Sequence, residues 1–373
     1  MISPPCWSRG PPLLQAGLLL ALSCVSLTRS GGEGIGSLDA SDAARTVVVV
    51  LVQGTKGCDE FPSWLQWYIN STSSMPLLGL DVVVLDGTAK ECVTSVNEQH
   101  PGFLRWVQDM SIPEYQVRMG REPAGRGLGP AGRGELGRAP RSPARGRRLW
   151  PQNLYQYMIW VVLEQRLRAG EHVLHFDSDA LILGDLWPHY LSLGELTTAE
   201  VIGTCDCAGP GCKEYGCSFN PAVLLLRSTP GSLLLVQEML DRWDRESWLD
   251  PTTHQMAHKW LTKAISHTHE LADMTVLNVW LIQQNCSKRP VGDKRTKASL
   301  WSCGKVTLAT FSRGYQRGGG KPCQGSRTPL STACRETGLV ISHSHSPLVD
   351  TFRREAPAFP APPTGARPAP LYP

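Results

Sequence analysis

A chain of 373 residues can bury a full core, either in one domain of two lobes or in two modest domains. Its 41% apolar and 19% charged content excludes a disordered polymer. The net charge of +4 misdescribes the folded part: residues 120–148 hold eight Arg and two Glu, and the remainder has 29 basic against 31 acidic residues, which argues against a nucleic-acid partner.

Residues 1–28 carry a lone basic residue, Arg9, ahead of an apolar stretch from Leu13 to Leu27. This reads as a secretory signal or a short signal-anchor. Left uncleaved, it would make a single-pass type II membrane protein facing the secretory lumen. Residues 29–44 are rich in Gly, Ser and Asp and read as a stem. Of the cysteines, ten lie beyond Cys6 and Cys24, a number that suits an oxidising lumen. The sequons Asn70-Ser71-Thr72 and Asn285-Cys286-Ser287 fit the same compartment.

Order begins at "TVVVVLVQG" (46–54), an uninterrupted β-branched run of the kind that fills a fully buried parallel strand. A helix is predicted around 61–70, and "LDVVVLDG" (80–87) repeats the strand-then-turn pattern. Strand, helix and strand at this spacing make a βαβ unit. Residues 120–148, with eight Gly and four Pro, cannot form a core and are expected to be a disordered insertion without the aromatics of a single-strand binder. Leu154, Met158 and Val161 form a helical stripe stopped by Gly170, and "EHVLHF" (171–176) is the next strand. "SFNPAVLLLRS" (218–228) is another, followed by a helix opened by Pro230. Further helices are expected over 253–265 and 270–284, then a short strand "GLVIS" (338–342) and an extended, unstructured tail over 356–373 with seven prolines. The fold class is α/β with a mainly parallel sheet in one domain over 45–355.

The chemistry concentrates at "HVLHFDSDALILGDLWP" (172–188). Asp177 and Asp179 lie two residues apart at the C-terminal end of a predicted parallel strand, where open α/β sheets bind ligands. Two carboxylates so close repel unless a proton or a cation intervenes. A hard divalent ion, Mn²⁺ or Mg²⁺, offsets that repulsion and can bridge to substrate phosphates. A phosphatase of the haloacid-dehalogenase type also begins with a strand and Asp-x-Asp, but Leu181 replaces its usual Thr or Val and three elements precede the motif here. Sugar transfer from a nucleotide sugar fits better.

At this point the sequence resembles the nucleotide-diphospho-sugar transferases of glycosyltransferase family 77. The likeness rests on "AGEHVLHFDSDALILGDLWP", "TVVVVLVQG" with "LDVVVLD", "SFNPAVLLLRSTPGSLLLVQEMLDRW" and "LVISHSHSP", and covers about 46–353 without the insertion. It implies a GT-A-type α/β fold and an enzyme that uses a nucleotide-sugar donor and a glycan or glycoprotein acceptor with retention of configuration. It places Asp177 and Asp179 on the metal and the donor, with His343, or His345 in its place, as a late metal ligand. Gly54 and Asp86 would lie near the nucleoside, and Asn220 near the transferred sugar. Gln255 or Asp273 would carry a further sugar-positioning role; Arg227 and Asp185 match family positions and suit structural roles too. The family's Asp-Gln pair is incomplete here: "HQMAHK" (254–259) has His for Asp, and "DMTVLN" (273–278) has Met for Gln. A non-catalytic lumenal glycan-binding or scaffold protein on the same fold is the alternative. Cys205, Cys207, Cys212 and Cys217 lack the paired knuckles of common zinc sites and read as disulfide partners.

Overall fold

The computed structural model describes residues 36–110, 151–206, 214–244, 273–292, 298–312, 315–317, 339–343 and 347–372. The signal segment, the insertion and the predicted helix over 253–265 lie outside these residues. Among the described helices, none is long and apolar enough to cross a membrane.

In chain order, the ordered unit opens with helix α1 (Ala40–Ala43) and strand β1 (Thr46–Val52), then α2 (Gly54–Thr72), β2 (Gly79–Val84), α3 (Gly87–Gln99) and β3 (Trp106–Asp109). From residue 151 come α4 (Pro151–Arg168), β4 (His172–Phe176), β5 (Ala180–Ile182), α5 (Leu186–Leu191) and a 3₁₀ turn (Gly194–Thr198). Strands β6 (Val201–Asp206) and β7 (Ser218–Leu226) follow, then α6 (Pro230–Asp244) and α7 (Asp273–Gln283). The last elements are β8 (Ser287–Pro290), β9 (Ser299–Cys303), β10 (Val306–Phe311), β11 (Tyr315–Arg317), β12 (Ile341–His343), α8 (Pro347–Arg354) and β13 (Leu371–Tyr372).

Ten strands form one sheet in the order β13-β3-β2-β1-β4-β7-β6-β10-β9-β8. Strands β3, β2, β1 and β4 are mutually parallel, as the βαβ pattern predicts. Strand β7 runs antiparallel to both β4 and β6, and β10 returns parallel to β6. All seven residues of β1 are buried because both faces of the sheet are covered. Val48, Val50 and Val52 pack with Phe61, Trp64 and Leu65 of α2, while Val47, Val49 and Leu51 join the core built with Met158 and Val162 of α4 and Leu235 of α6. A strand buried on both faces offers no solvated position, which explains the apolar run after Thr46, whose hydroxyl donates to Asp42 O at 2.7 Å.

Two expectations fail at the ends of the domain. Residues 36–44, assigned to a stem, belong to the folded unit. Asp39 caps α1 in a capping box with Asp42, Leu38 N donates to Thr197 O at 3.2 Å, and Trp187 Nε1 donates to Asp39 O at 3.2 Å. The segment 356–372, expected to be unstructured, lies along α3 and pairs β13 with β3. Proline-rich composition excludes a core of its own but not docking on another element. Arg227 is tied to Gly36 O at 2.6 Å and to Thr197 O at 3.2 Å, which assigns it to structure.

His172 joins α1 to β4. Ser228 N donates to its Nδ1 at 2.7 Å, so the ring proton sits on Nε2 and is donated to Asp42 Oδ1 at 3.0 Å. Burial disfavours the imidazolium and holds the pKa below the ordinary histidine value, although Asp42 opposes the shift. With the folded pKa below the unfolded one, the unfolded chain takes up the proton first as pH falls. This stability is therefore complete above the unfolded value of about 6.5 and is lost as pH drops through it. The denaturant midpoint is expected to be lower at about pH 5.5 than at about pH 7.5, and His172→Gln should flatten that dependence.

Candidate functional site

The sheet direction sets the site. Strands β1, β2 and β4 all end on one edge, and β7, being antiparallel, begins there. Gly54, Asp86, Asp177, Asp179 and Asn220 are thereby brought to a common edge.

Asp177 and Asp179 occupy a tight turn after β4: Ala180 N donates to Asp177 O at 2.9 Å. Asp177 N donates to Ala222 O at 2.8 Å, and Trp64 Nε1 of α2 donates to Ala180 O at 2.9 Å. One bond within the turn, one to the backbone of β7 and one from an indole of α2 thus hold it, and its carboxylates remain partly exposed. His175, buried in β4, directs Nδ1 to Val49 O at 3.1 Å and places Nε2 3.4 Å from Asp177 Oδ1. A carbonyl only accepts, so Nδ1 carries a proton.

The bond from Asp177 N to Ala222 O continues the regular register of β4 on β7, in which Phe176 pairs with Val223. On its other side β7 bulges away from β6. Thr204 pairs with Asn220 whereas Gly203 pairs with Leu224, so Pro221, Ala222 and Val223 loop out of the β6 ladder. Pro221, which has no N–H, is tolerated in a central strand only at such a bulge. Asn220 Oδ1 accepts from Ala222 N at 3.0 Å across the proline, a local turn that commits its carboxamide oxygen. Gly203 is required by close approach, since a Cβ there would overlap the Phe219 ring. Beyond the end of β4 the backbone of Phe219 is completed by Asn278 of α7: Phe219 N donates to Asn278 Oδ1 at 2.8 Å, and Asn278 Nδ2 donates to Phe219 O at 2.7 Å. Asn278→Ala leaves two buried backbone groups unpaired beside Asn220 and is expected to cost about 2–4 kcal/mol, read from the denaturant midpoint.

Gly54, in the left-handed region at φ 60°, begins α2, and its N–H donates to Asp86 Oδ2 at 2.8 Å. Asp86 Oδ1 accepts from Ala89 N at 2.9 Å and so caps α3. The two residues are brought together as one turn pair, with the Asp86 carboxylate engaged in holding it. Asp185 stands at the N-cap position of α5 without a side-chain cap bond.

Strand β5, which follows the turn directly, belongs to a small sheet of order β11-β12-β5. Strand β12 runs antiparallel to β5 with His343 opposite Ala180, the residue after Asp179. The distance of His343 along the sequence is removed by this pairing, although its side chain lies outside the described residues. So do His345, Gln255 and the side chain of Asp273, whose backbone begins α7. Among the described residues no cluster of three His, Cys, Asp or Glu is formed.

Four neighbours of the site were not read from the sequence: His175, Tyr315, Asn278 and Glu60. Burial raises the Tyr315 hydroxyl pKa, with a smaller contribution from the charges of Asp177 and Asp179, and its hydrogen bond to Thr204 opposes this. Glu60 of α2 pairs with Arg353 of α8 at 2.9 Å and Lys56 at 3.8 Å. Its carboxyl is pushed up by burial, against those cations, and Asp179 adds to the rise. The only signal for His175 was a histidine inside an apolar strand two residues before Asp177. The others become neighbours only through tertiary pairing.

Cys205 and Cys217 form a disulfide that ties the ends of the loop between β6 and β7 at this edge, and Cys58–Cys92 joins α2 to α3. A third bridge links Cys286 and Cys303. Cys207 and Cys212 lie outside the described residues.

No family model matches the sequence, and no curated protein matches it. Among solved structures, the galactosyltransferase LgtC, crystallised with donor and acceptor sugar analogues, is similar over 84% of this chain and 97% of its own, at 13% identity and a TM-score of 0.42. The bifunctional glycosyltransferase WbbM is similar over 87% of this chain at 11% identity and a TM-score of 0.43, but this chain spans only 52% of its length. Mouse xyloside xylosyltransferase 1 is similar over 84% of this chain and 99% of its own, at 9% identity and a TM-score of 0.38. These likenesses are distant in sequence and in superposition, so the function has to be argued from the residues of this chain.

Proposed function

We propose that the protein is a glycosyltransferase that moves a sugar from a nucleoside-diphosphate donor to a hydroxyl of a glycan or glycoprotein. The observation that carries this reading is the turn bearing Asp177 and Asp179 at the end of β4, with His343 in register beside it. Two partly exposed carboxylates on one anchored turn suit a hard divalent cation, Mn²⁺ or Mg²⁺. Asp177 and Asp179 would hold it, with His343 or His345 as the further ligand. Such an ion screens the charge that develops on a leaving nucleoside diphosphate.

The chain's own residues supply position. The backbone of Ala222 and the indole of Trp64 fix the aspartate turn, and Asn278 fixes the strand that presents Asn220. The Gly54–Asp86 pair sets the turn at the nucleoside end of the edge. Gln255 or Asp273 would add a contact to the sugar, and the family resemblance argues for retention of configuration.

The same reading places the protein in the Golgi lumen or secretory pathway, membrane-bound if its first segment is uncleaved. Three disulfides among the described residues support an oxidising compartment, and both sequon asparagines, Asn70 and Asn285, are exposed.

The test is release of nucleoside diphosphate from a panel of nucleotide sugars by the full chain, with and without Mn²⁺. Metal-dependent release from one donor is the expected result. Metal-dependent donor binding without any turnover would identify the non-catalytic glycan-binding protein instead, and no binding by any donor would end both readings.

A further inference from the structure

The segment 356–372 contacts the domain in an unusual way for a piece of a sheet. None of its residues is fully buried; of its side chains only Ala356, Pro357, Phe359, Ala366 and Ala369 lose much exposure. Only Leu371 and Tyr372 pair with β3, and both remain exposed, at 43% and 46%. Ala356, Phe359 and Ala369 pack on the core only as partly buried residues, while α8 is anchored separately by buried Phe352, whose carbonyl accepts from Trp67 Nε1 at 2.9 Å.

Its few contacts are specific. Asn97, buried near the end of α3, binds both backbone groups of one residue: Ala369 N donates to Asn97 Oδ1 and Asn97 Nδ2 donates to Ala369 O, each at 3.0 Å. Val107 N of β3 donates to Pro370 O at 3.2 Å. Phe359 stacks on His100 with centroids 3.6 Å apart and leans on Phe103 at 6.4 Å. Ala366 lies over Gly102, where a Cβ would come within 2.7 Å of it. Tyr372 meets Trp106 edge-on at 5.3 Å. A carboxamide reading one residue's backbone, a sheet edge adding a strand and an aromatic slot at a fixed spacing are the elements of extended-peptide recognition.

We propose that the groove formed by Asn97, His100, Gly102, Phe103 and the edge of β3 is a recognition site for an extended, proline-rich peptide, and that segment 356–372 is its tethered occupant. The prolines suit the role: they pre-extend the chain and lower the entropy lost on docking, and those outside the paired residues forfeit no bond the groove offers. Tethering gives the occupant a high effective concentration, so a handful of anchors is enough to keep it seated.

The experiment uses full-length chains and a labelled peptide of residues 356–373, with binding followed by fluorescence anisotropy. Phe359→Ser with Ala369→Pro weakens the tethered occupant, by removing the stacked ring and the N–H given to Asn97, and leaves the groove unaltered. This variant is expected to bind the peptide about tenfold more tightly than the wild-type chain, whose groove is filled. Binding to the variant should fall about tenfold when Asn97→Ala is added, or when the peptide itself carries Ala369→Pro, a change that cannot disturb the folding of the protein. Absence of binding to the weakened variant, or binding that ignores Ala369→Pro in the peptide, overturns the proposal.

Discussion

Replacing Asp177 and Asp179 together by Asn is expected to lower donor turnover by about 10²–10³-fold with the fold intact. The substitution keeps the size of both side chains and removes the charges that a divalent ion needs. The turn survives because its anchors are backbone groups: Asp177 N to Ala222 O, Ala180 N to Asp177 O, and Trp64 Nε1 to Ala180 O. Relief of the repulsion between two like charges works against the weakened contact of Asp177 with His175 Nε2, 3.4 Å away, so the denaturant midpoint should stay close to that of the wild-type chain. Release of nucleoside diphosphate and the midpoint are measured on the same preparation. Unchanged turnover would move the chemistry away from this edge; a collapsed midpoint would show that the carboxylates serve the fold.

The largest expected loss of stability lies at the opposite edge, where β2, β3 and β4 begin. Asp81 is 1% exposed in its side chain and receives Arg105 Nε and Nη2, both at 2.8 Å. Arg105 also holds Glu171 at 2.7 Å, and Arg166 approaches Asp81 at 2.8 Å while lying over the Trp106 ring. Two cations balance two carboxylates. Arg105→Ala leaves Asp81 and Glu171 to share Arg166 and is expected to cost about 3–5 kcal/mol, measured by denaturant unfolding. Because the penalty is that of an uncompensated buried charge, adding Asp81→Ala should recover part of it, a non-additivity that a simple loss of packing does not produce.

The central strands were legible because burial on both faces leaves an unmistakable pattern: β1, β2, β4 and β7 match the apolar runs read from composition alone. Strands β3, β6, β8, β9, β10, β11 and β13 were not read from the sequence. "SKRP" is largely exposed and "SLWSC" alternates, so neither carries a continuous apolar signal. Strand β12 (Ile341–His343) overlaps the short strand read at 338–342, whereas β5, three residues long, is defined only by its pairing with β12. The same holds for the site. Asp177 and Asp179 were recognisable by residue type and by their place after a strand, whereas the proximity of His343 required the register of β12 on β5. Asn278 acts through the backbone of Phe219 and His175 through the carbonyl of Val49, contacts that no spacing rule encodes. The misassigned stem did carry a sign, Asp39 and Asp42 at capping-box spacing, which composition outweighed. The proline-rich segment carried none, because its partners, Asn97 and β3, lie far away in the chain.

Mn²⁺ binding to the full chain in the presence of a nucleoside diphosphate, followed by electron paramagnetic resonance, tests the central claim most directly. Saturable binding is expected in the wild-type chain, weakened about tenfold or more by His343→Ala and abolished by Asp177→Asn with Asp179→Asn. Equal affinity in all three proteins would contradict the assignment of this sheet edge as a metal–diphosphate site.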